Sequence, residues 1–192
     1  MIKVSIKIIC LFAGILLLAG CSSVTVLETW HNSSAVEIQH KKLLVINLNL
    51  DENVRKMYED VVSGEMTDSG IMAVAGHSYL NRGENYTKDN IRNAVTKSGC
   101  DAVLTIRGLT TGNQQIHQQG QGNVLYGEGL IPSSWDDTLI ATLQVNLYNS
   151  EQELLVWSSR IKARDDDNKF IESRDIGKLL IRLLKRDGMV HP

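Results

Sequence analysis

The amino terminus carries an apolar segment over residues 8–18, which ends in the run Leu18-Ala19-Gly20-Cys21. Lys3 and Lys7 give the chain a positive start, and small residues stand just before a possible cut site. This is the pattern of a secretory signal peptide, and the segment is too short to span a bilayer comfortably. Removing the first 20 of the 192 residues leaves 172, which is enough for one domain with its own core.

A cysteine directly after the cut site sets this signal apart from an ordinary one. The order Leu-Ala-Gly-Cys resembles the bacterial lipobox. The resemblance implies cleavage between Gly20 and Cys21, a diacylglyceryl group on the Cys21 thiol and an acyl group on the new amino terminus. Two or more acyl chains anchor a protein stably. The next residue is Ser22 rather than Asp, which in the bacterial sorting rule favours the outer membrane. An ordinary signal with a chance cysteine, or an uncleaved membrane helix, stays open.

The lipid assignment limits how the domain can be stabilised. Cys10 leaves with the signal and Cys21 is consumed by lipid, so Cys100 alone remains and no intrachain disulfide is possible. The position of Cys100 before an apolar run predicts a buried, inert thiol. Loss of Lys3 and Lys7 lowers the 20 basic residues to 18, against 22 acidic ones. This balance argues against a nucleic-acid partner.

Hydrophobic periodicity predicts one α/β domain over residues 41–190, preceded by a lipid-anchored tether at 21–40 that becomes extended around Val24 and Val26. Within the tether, Trp30 is expected to pack onto the domain, with a position near the membrane interface as the less favoured alternative. The domain is predicted to contain a mixed sheet in β-α-β-α-β-β-β-α order with helices packed on it. Strands are predicted at 43–50, 71–75, 102–106, 139–148 and 154–163. Helices are predicted between Asp51 and Gly70, between Thr87 and Gly99, and along a leucine stripe from Ile176 to Leu184.

The first and last helices are both predicted to be amphipathic. Glu52, Arg55, Lys56 and Glu59 share the polar face of the first helix, so we expect them in solvent. The last helix carries basic residues opposite its leucines: Lys178, Arg182, Lys185 and Arg186. A core-packed helix with a solvated basic face is favoured over a helix lying on a membrane surface.

Residues 108–137 form a Gly/Gln-rich loop without helical period, and a loop this long is functional or disordered. Its glycine spacing fits neither a dinucleotide-binding nor a phosphate-binding loop. An aromatic residue among small and polar ones can anchor a partner or fold back on the sheet. The candidate partner-binding residues are Tyr126, Pro132, Trp135, Asp136 and Asp137. Because the lipid holds the amino-terminal end, we expect this loop to lie far from the membrane.

No motif in the sequence predicts catalysis or metal binding. The five histidines show no pair at helical spacing, and no nucleophile elbow occurs. A calcium loop starting at Asp165 would need Gly and Glu where Phe170 and Ile176 stand. We therefore predict a protein that is not an enzyme, with no catalytic residues, no metal and no cofactor other than the covalent lipid.

Several segments together resemble a group of uncharacterised bacterial lipoproteins with one small α/β domain. The resemblance rests on Thr29-Trp30, Lys42–Ile46, Arg55 with Glu59-Asp60, Gly99–Leu104, Asn146–Asn149 and Leu155–Ser158. The predicted architecture is also similar to the amino-terminal domain of TolB, to curli-secretion lipoproteins and to lipoprotein activators of penicillin-binding proteins. Those relatives imply a role in envelope assembly or transport without chemistry, although a fold does not fix a function.

The sequence thus predicts a non-enzymatic lipoprotein on the periplasmic side of the outer membrane that binds another envelope component, a protein, through the 108–137 loop. Two alternatives stay open. One is a periplasmic binder or hydrolase of small molecules or glycans that uses Asp136, Asp137 and His117. The other is a subunit of an oligomeric export assembly.

Overall fold

A computed structural model describes residues 24–32, 41–48, 51–80, 86–111, 139–165 and 169–190. The signal peptide, Gly20 and Cys21 lie outside these ranges. So do His117 and the five candidate contact residues of the loop, Tyr126, Pro132, Trp135, Asp136 and Asp137. The assignments made for all of these residues stay predictions.

Six strands form one mixed sheet in the order β1-β6-β5-β4-β2-β3. The strands are β1 (Val24–His31), β2 (Lys42–Asn47), β3 (Met72–Ala75), β4 (Ala102–Thr111), β5 (Leu139–Asn149) and β6 (Leu154–Asp165). The helices are α1 (Glu52–Asp68), a 3-10 turn (Gly76–Ser78), α2 (Lys88–Ser98) and α3 (Lys169–Arg186). Strand β2 runs parallel to β3 and β4, and the other neighbours are antiparallel. The predicted α/β class and element order are confirmed. Strand β1 is an additional strand that precedes the predicted elements in the chain.

Strand β2 is buried on both faces, because helices lie on both sides of it. Leu43 and Val45 belong to the main core with α1 and α3, whereas Leu44 and Ile46 pack in a second cluster with α2. The leucine stripe of α3 lies in the main core, so α3 is the core-packed helix that the sequence favoured. Continuous apolar runs such as this one are typical of strands covered on both faces.

Capping residues define the helix ends at the predicted places. The Asp51 carboxylate accepts hydrogen bonds from the backbone N–H groups of Asn53 and Val54 at the start of α1. Thr87 caps α2 in the same way. Gly99 ends α2 with a φ of 64°, in the left-handed region that favours glycine.

The residues from Val24 to His31 are a structural strand rather than a free tether. They pair with β6 along the edge of the sheet, and Val24 is only 4% exposed within the main core. A β-bulge between Val26 and Glu28 shifts the register of this edge. The extended part of the predicted tether therefore belongs to the folded domain.

One lateral row of paired residues crosses four strands of the sheet. Val24 pairs with Ala163, Ala163 with Ala141, and Ala141 with Thr111. Thr111 is the last described residue before the 112–138 segment, and Leu139 is the first one after it. The segment therefore leaves and re-enters the sheet at the end where Val24 lies. Because β1 and β5 begin at the end where β4 and β6 finish, the residues that flank 112–138 lie at the end of the sheet where β1 starts. The expectation that the loop itself lies far from the membrane stays a prediction.

Trp157 is the largest fully buried side chain among the described residues, and its indole Nε1 donates a hydrogen bond to Asp187 Oδ2 at 2.8 Å. Trp157→Phe removes this bond and leaves unfilled space, so we expect the free energy of unfolding to fall by about 2 kcal/mol. Trp30→Phe is the matched control: Trp30 is 51% exposed, and its replacement should change stability by no more than about 0.5 kcal/mol. Urea unfolding of the detergent-solubilised chain, followed by circular dichroism, measures both. Equal losses would contradict this packing.

Candidate functional site

A polar surface covers the side of the sheet that faces away from α1 and α3. Residues paired directly across strands share a face, and two rows of pairs define this one. One row is Glu28, Arg160, Gln144 and Arg107; the next contains Trp30, Ser158 and Asn146. Helix α2 packs on this side over β2 and the start of β4. We call these seven residues together with Lys162 the open sheet face.

Amide and hydroxyl groups on the open sheet face hold one another in place. Gln144 Nε2 donates to Ser158 Oγ at 2.6 Å and to Asn146 Oδ1 at 3.1 Å. Ser158 Oγ in turn donates to Asn146 Oδ1 at 2.9 Å, and Asn146 Nδ2 donates to Tyr148 Oη at 3.2 Å. A network of this kind fixes side-chain orientation before a partner arrives, which lowers the entropy lost on binding.

The charges on this face are mainly positive. Arg107, Arg160 and Lys162 lie on it with a single carboxylate, Glu28, which pairs with Arg160 at 3.2 Å. The Nε atoms of both arginines are buried without a hydrogen-bond partner. Trp30 was expected to pack onto the domain; it is instead 51% exposed, because it stands on an edge strand facing this open side. The face therefore offers cations, hydrogen-bonding groups and an aromatic ring to a partner.

A groove of about 280 Å³ adjoins the open sheet face, between α2, β4, β5 and the β5–β6 turn. Tyr148 links the two features, since it lines the groove and accepts the hydrogen bond from Asn146. Apolar side chains of Ile91, Val95 and Val103 line the groove together with polar and charged groups. An apolar lining with a few placed polar groups is typical of small-molecule sites.

Charged residues at the groove are tied together by ion pairs. Glu153 accepts from Arg92, with the Nη2–Oε2 contact at 2.8 Å, and from Lys88 Nζ at 2.9 Å. Hydrogen bonds from Arg92 and then Lys88 lower the pKa of Glu153 to about 2. Glu153 is thus an anion at ordinary pH and cannot act as a proton donor.

A second polar cluster lies at the carboxyl ends of β2 and β3, where α/β sheets often bind ligands. Glu59 is fully buried there. Its Oε1 accepts from Asn47 N at 3.0 Å, and its Oε2 accepts from His77 N at 2.7 Å and Tyr86 Oη at 3.2 Å. The His77 ring nitrogen Nδ1 lies 3.1 Å from the same Oε2. The Glu59 carboxylate therefore connects α1 to the ends of two parallel strands.

The sequence expectation that Glu59 faces solvent is wrong. The close approach of Gly76 explains the burial, since a Cβ there would lie 3.0 Å from Val45 O and 3.5 Å from Glu59 Oε2. The chain after β3 can thus pass directly over the carboxylate. The Arg55 guanidinium stands 4.2 Å from the centre of the Tyr86 ring, which is a cation–π contact. Burial raises the pKa of Glu59, and the hydrogen bonds from Asn47, His77 and Tyr86 oppose this effect.

Cys100 and His77 are among the remaining candidate residues. Cys100 is buried and free, as predicted, and burial raises the pKa of its thiol. His77 also lies beside Asp60, with its Nε2 3.4 Å from Asp60 Oδ1. Across the described ranges, no three His, Cys, Asp or Glu side chains are grouped so that they could hold a metal. Nor does this part of the chain contain a helix of the length and apolar character that a membrane crossing needs.

Comparison with known proteins gives similar folds only. No protein family and no curated protein matches the sequence. A single-substitution variant of the PelC dodecamer from Paraburkholderia phytofirmans is 10% identical, with a TM-score of 0.45 over 88% of this chain and 98% of that one. A second PelC dodecamer structure from the same organism has 11% identity and a TM-score of 0.46, over 88% of this chain and 99% of that one. Lipoprotein GNA1162 from Neisseria meningitidis is 14% identical, with a TM-score of 0.41 over 76% of this chain and 98% of that one.

The Glu59 cluster predicts how stability depends on pH. The raised pKa means that the folded chain keeps this proton above the ordinary value of 4.5, where the unfolded chain has lost it. Stability contributed by Glu59 is therefore greatest below pH 4.5 and falls as pH rises through the raised pKa. In Glu59→Gln this contribution is absent. The free energy of unfolding of the wild type minus that of Glu59→Gln should fall with rising pH in urea titrations. A difference that rises with pH would mean that the hydrogen bonds outweigh burial.

Proposed function

We propose that this protein is a lipid-anchored lipoprotein of the bacterial outer membrane that binds another envelope component, a protein, without catalysing a reaction. The lipobox-like run ending at Cys21, followed by Ser22, supports the anchor and its membrane. The start of β1 supports it too, because this strand begins at the buried Val24, only three positions after the residue that would carry the lipid.

The open sheet face is the observation that carries the binding role. An antiparallel sheet can leave one face in water, but this face combines an exposed Trp30 with Arg107 and Arg160. Tryptophan, tyrosine and arginine are the residues most enriched at binding hot spots. Since cations outnumber the carboxylate, the face suits a partner with acidic side chains and exposed hydrogen-bond acceptors.

The contacts of two carboxylates, Glu153 and Glu59, favour binding over catalysis. Glu153 is held ionised by two cations, and both oxygens of Glu59 accept hydrogen bonds from the fold. Each of these carboxylates therefore has a structural task.

The groove supports a second candidate function, binding of a small polar molecule or a glycan unit. Its volume of about 280 Å³ is close to the lower end of ligand pockets, and Tyr148 offers a ring next to hydrogen-bonding groups. A subunit role in an oligomeric export assembly is the third candidate. Photo-crosslinking at Ser158 separates these two candidates from binding to an envelope protein.

Lipidation is tested by radiolabelled palmitate. The wild type should incorporate the label and sediment with outer-membrane fractions, whereas Cys21→Ser should lose the label because position 21 no longer carries a thiol. Ser22→Asp should keep the label and move to inner-membrane fractions. A Cys21→Ser chain that is still labelled would refute the anchor. A labelled Ser22→Asp chain that stays in the outer membrane would refute the sorting assignment alone.

Partner binding is tested with a photo-crosslinking residue at Ser158, in the centre of the open sheet face. Lys178, exposed on the far side of α3, is the matched control position. We expect an envelope protein to crosslink at position 158 and not at 178, and the double variant Arg107→Glu/Arg160→Glu to weaken this product at least roughly tenfold, because it reverses both charges.

The other outcomes of that experiment are equally decisive. Equal products at positions 158 and 178 would contradict the open sheet face as the binding surface. Crosslinks between copies of the chain would favour the export assembly, and protection by added glycan fragments would favour the groove. A folded chain lacking residues 112–135 that keeps the same partners would show that the loop is not the binding element.

A further inference from the structure

We infer that the domain stands on the membrane that holds Cys21, with the lipid-side ends of β5 and β6 at the phospholipid headgroups and the groove facing away. The inference rests on the proposed lipidation. It adds an interaction surface, one end of the sheet, and a partner, the lipid surface next to the anchor.

The short link between anchor and fold carries the argument. Val24 is buried in the main core and stands three positions after Cys21 in the sequence. A step of three residues reaches at most about 10 Å when fully extended. The row that contains Val24 therefore lies within about 10 Å of the lipidated residue.

The neighbouring strands reach further than β1 in the same direction. Ala163 and Ala141 share the row of Val24, and β6 and β5 continue past it to Asp165 and Leu139. Two further residues add about 7 Å to each strand. These ends thus come within about 3 Å of the greatest height that Cys21 can reach. With β5 and β6 running away from the membrane, these ends lie within a headgroup layer that is roughly 5 to 7 Å thick.

Polar and basic side chains occupy this end of the sheet. Thr25 and Lys162 form the strand pair next to Val24 and Ala163, one residue further from Cys21. Both side chains are exposed. Lys162 places a cation near lipid phosphates, which attract basic side chains close to a membrane surface. Because β6 ends at Asp165, the charge at this end is mixed, and the short link to Cys21 rather than charge sets the orientation.

The groove lies at the opposite end of the sheet. Its residues Val103 and Thr105 stand six to eight positions before Thr111 on β4, which is roughly 20 to 26 Å from the lipid-side row. The turn that bears Glu153 lies further along the same direction. The groove therefore opens toward the periplasm, while the open sheet face stands upright on the membrane.

The orientation is measured with a fluorophore on single introduced cysteines in the full lipidated chain, reconstituted in vesicles with nitroxide-labelled headgroups. The variants are Thr25→Cys, Lys162→Cys and, at the far turn, Gln152→Cys. Cys100 is buried and does not compete for the label. We expect quenching several-fold stronger at positions 25 and 162 than at 152. Equal quenching at all three, or the strongest at 152, would overturn the inference.

A linker variant and palmitate labelling separate the possible failures. Inserting about 20 Gly/Ser residues before Val24 adds a mean reach of roughly 25 Å, so quenching at positions 25 and 162 should fall while palmitate stays attached. Undiminished quenching would show that something other than the short link sets the orientation. Absence of palmitate in the parent would refute the proposed anchor and the inference together. Labelled protein with uniform quenching would refute the orientation alone.

Discussion

The two-sided burial of β2 governs the architecture. A strand with apolar residues on both faces needs helices on both sides of the sheet, and the chain supplies them unequally. Among the described residues, helices α1 and α3 cover one side, and α2 alone lies on the other. A helix about 10 Å wide covers about two strands spaced roughly 4.8 Å apart. The side of a six-stranded sheet that receives α2 therefore keeps a broad polar area, and the open sheet face follows from the number of helices.

Much of this fold follows from local patterns. The leucine stripe of α3, the caps at Asp51 and Thr87 and the alternation in β5 and β6 all depend on neighbours in sequence, and each was predicted. Strand β1 was only partly visible, because the bulge after Val26 breaks the alternation that marks a strand. The buried Glu59 was missed since its partners, Asn47, His77 and Tyr86, come from three separate places in the chain.

The candidate site was harder to predict than the fold. Alternation in β5 and β6 predicts a polar face, but whether a helix covers it depends on tertiary placement. The end of the sheet at which residues 112–138 begin was hidden for a related reason. It is set by which strands are antiparallel, and the register that joins Val24 to Thr111 crosses three strand pairs. No local pattern carries that information.

The bulge in β1 has a consequence for contacts between copies of the chain. Strand β1 forms one edge of the described sheet. An unbroken edge strand would invite pairing between copies. The register shift between Val26 and Glu28, with Leu27 53% exposed, interrupts the regular row of backbone groups that such pairing needs. The irregularity thus disfavours edge-to-edge pairing between copies of the chain.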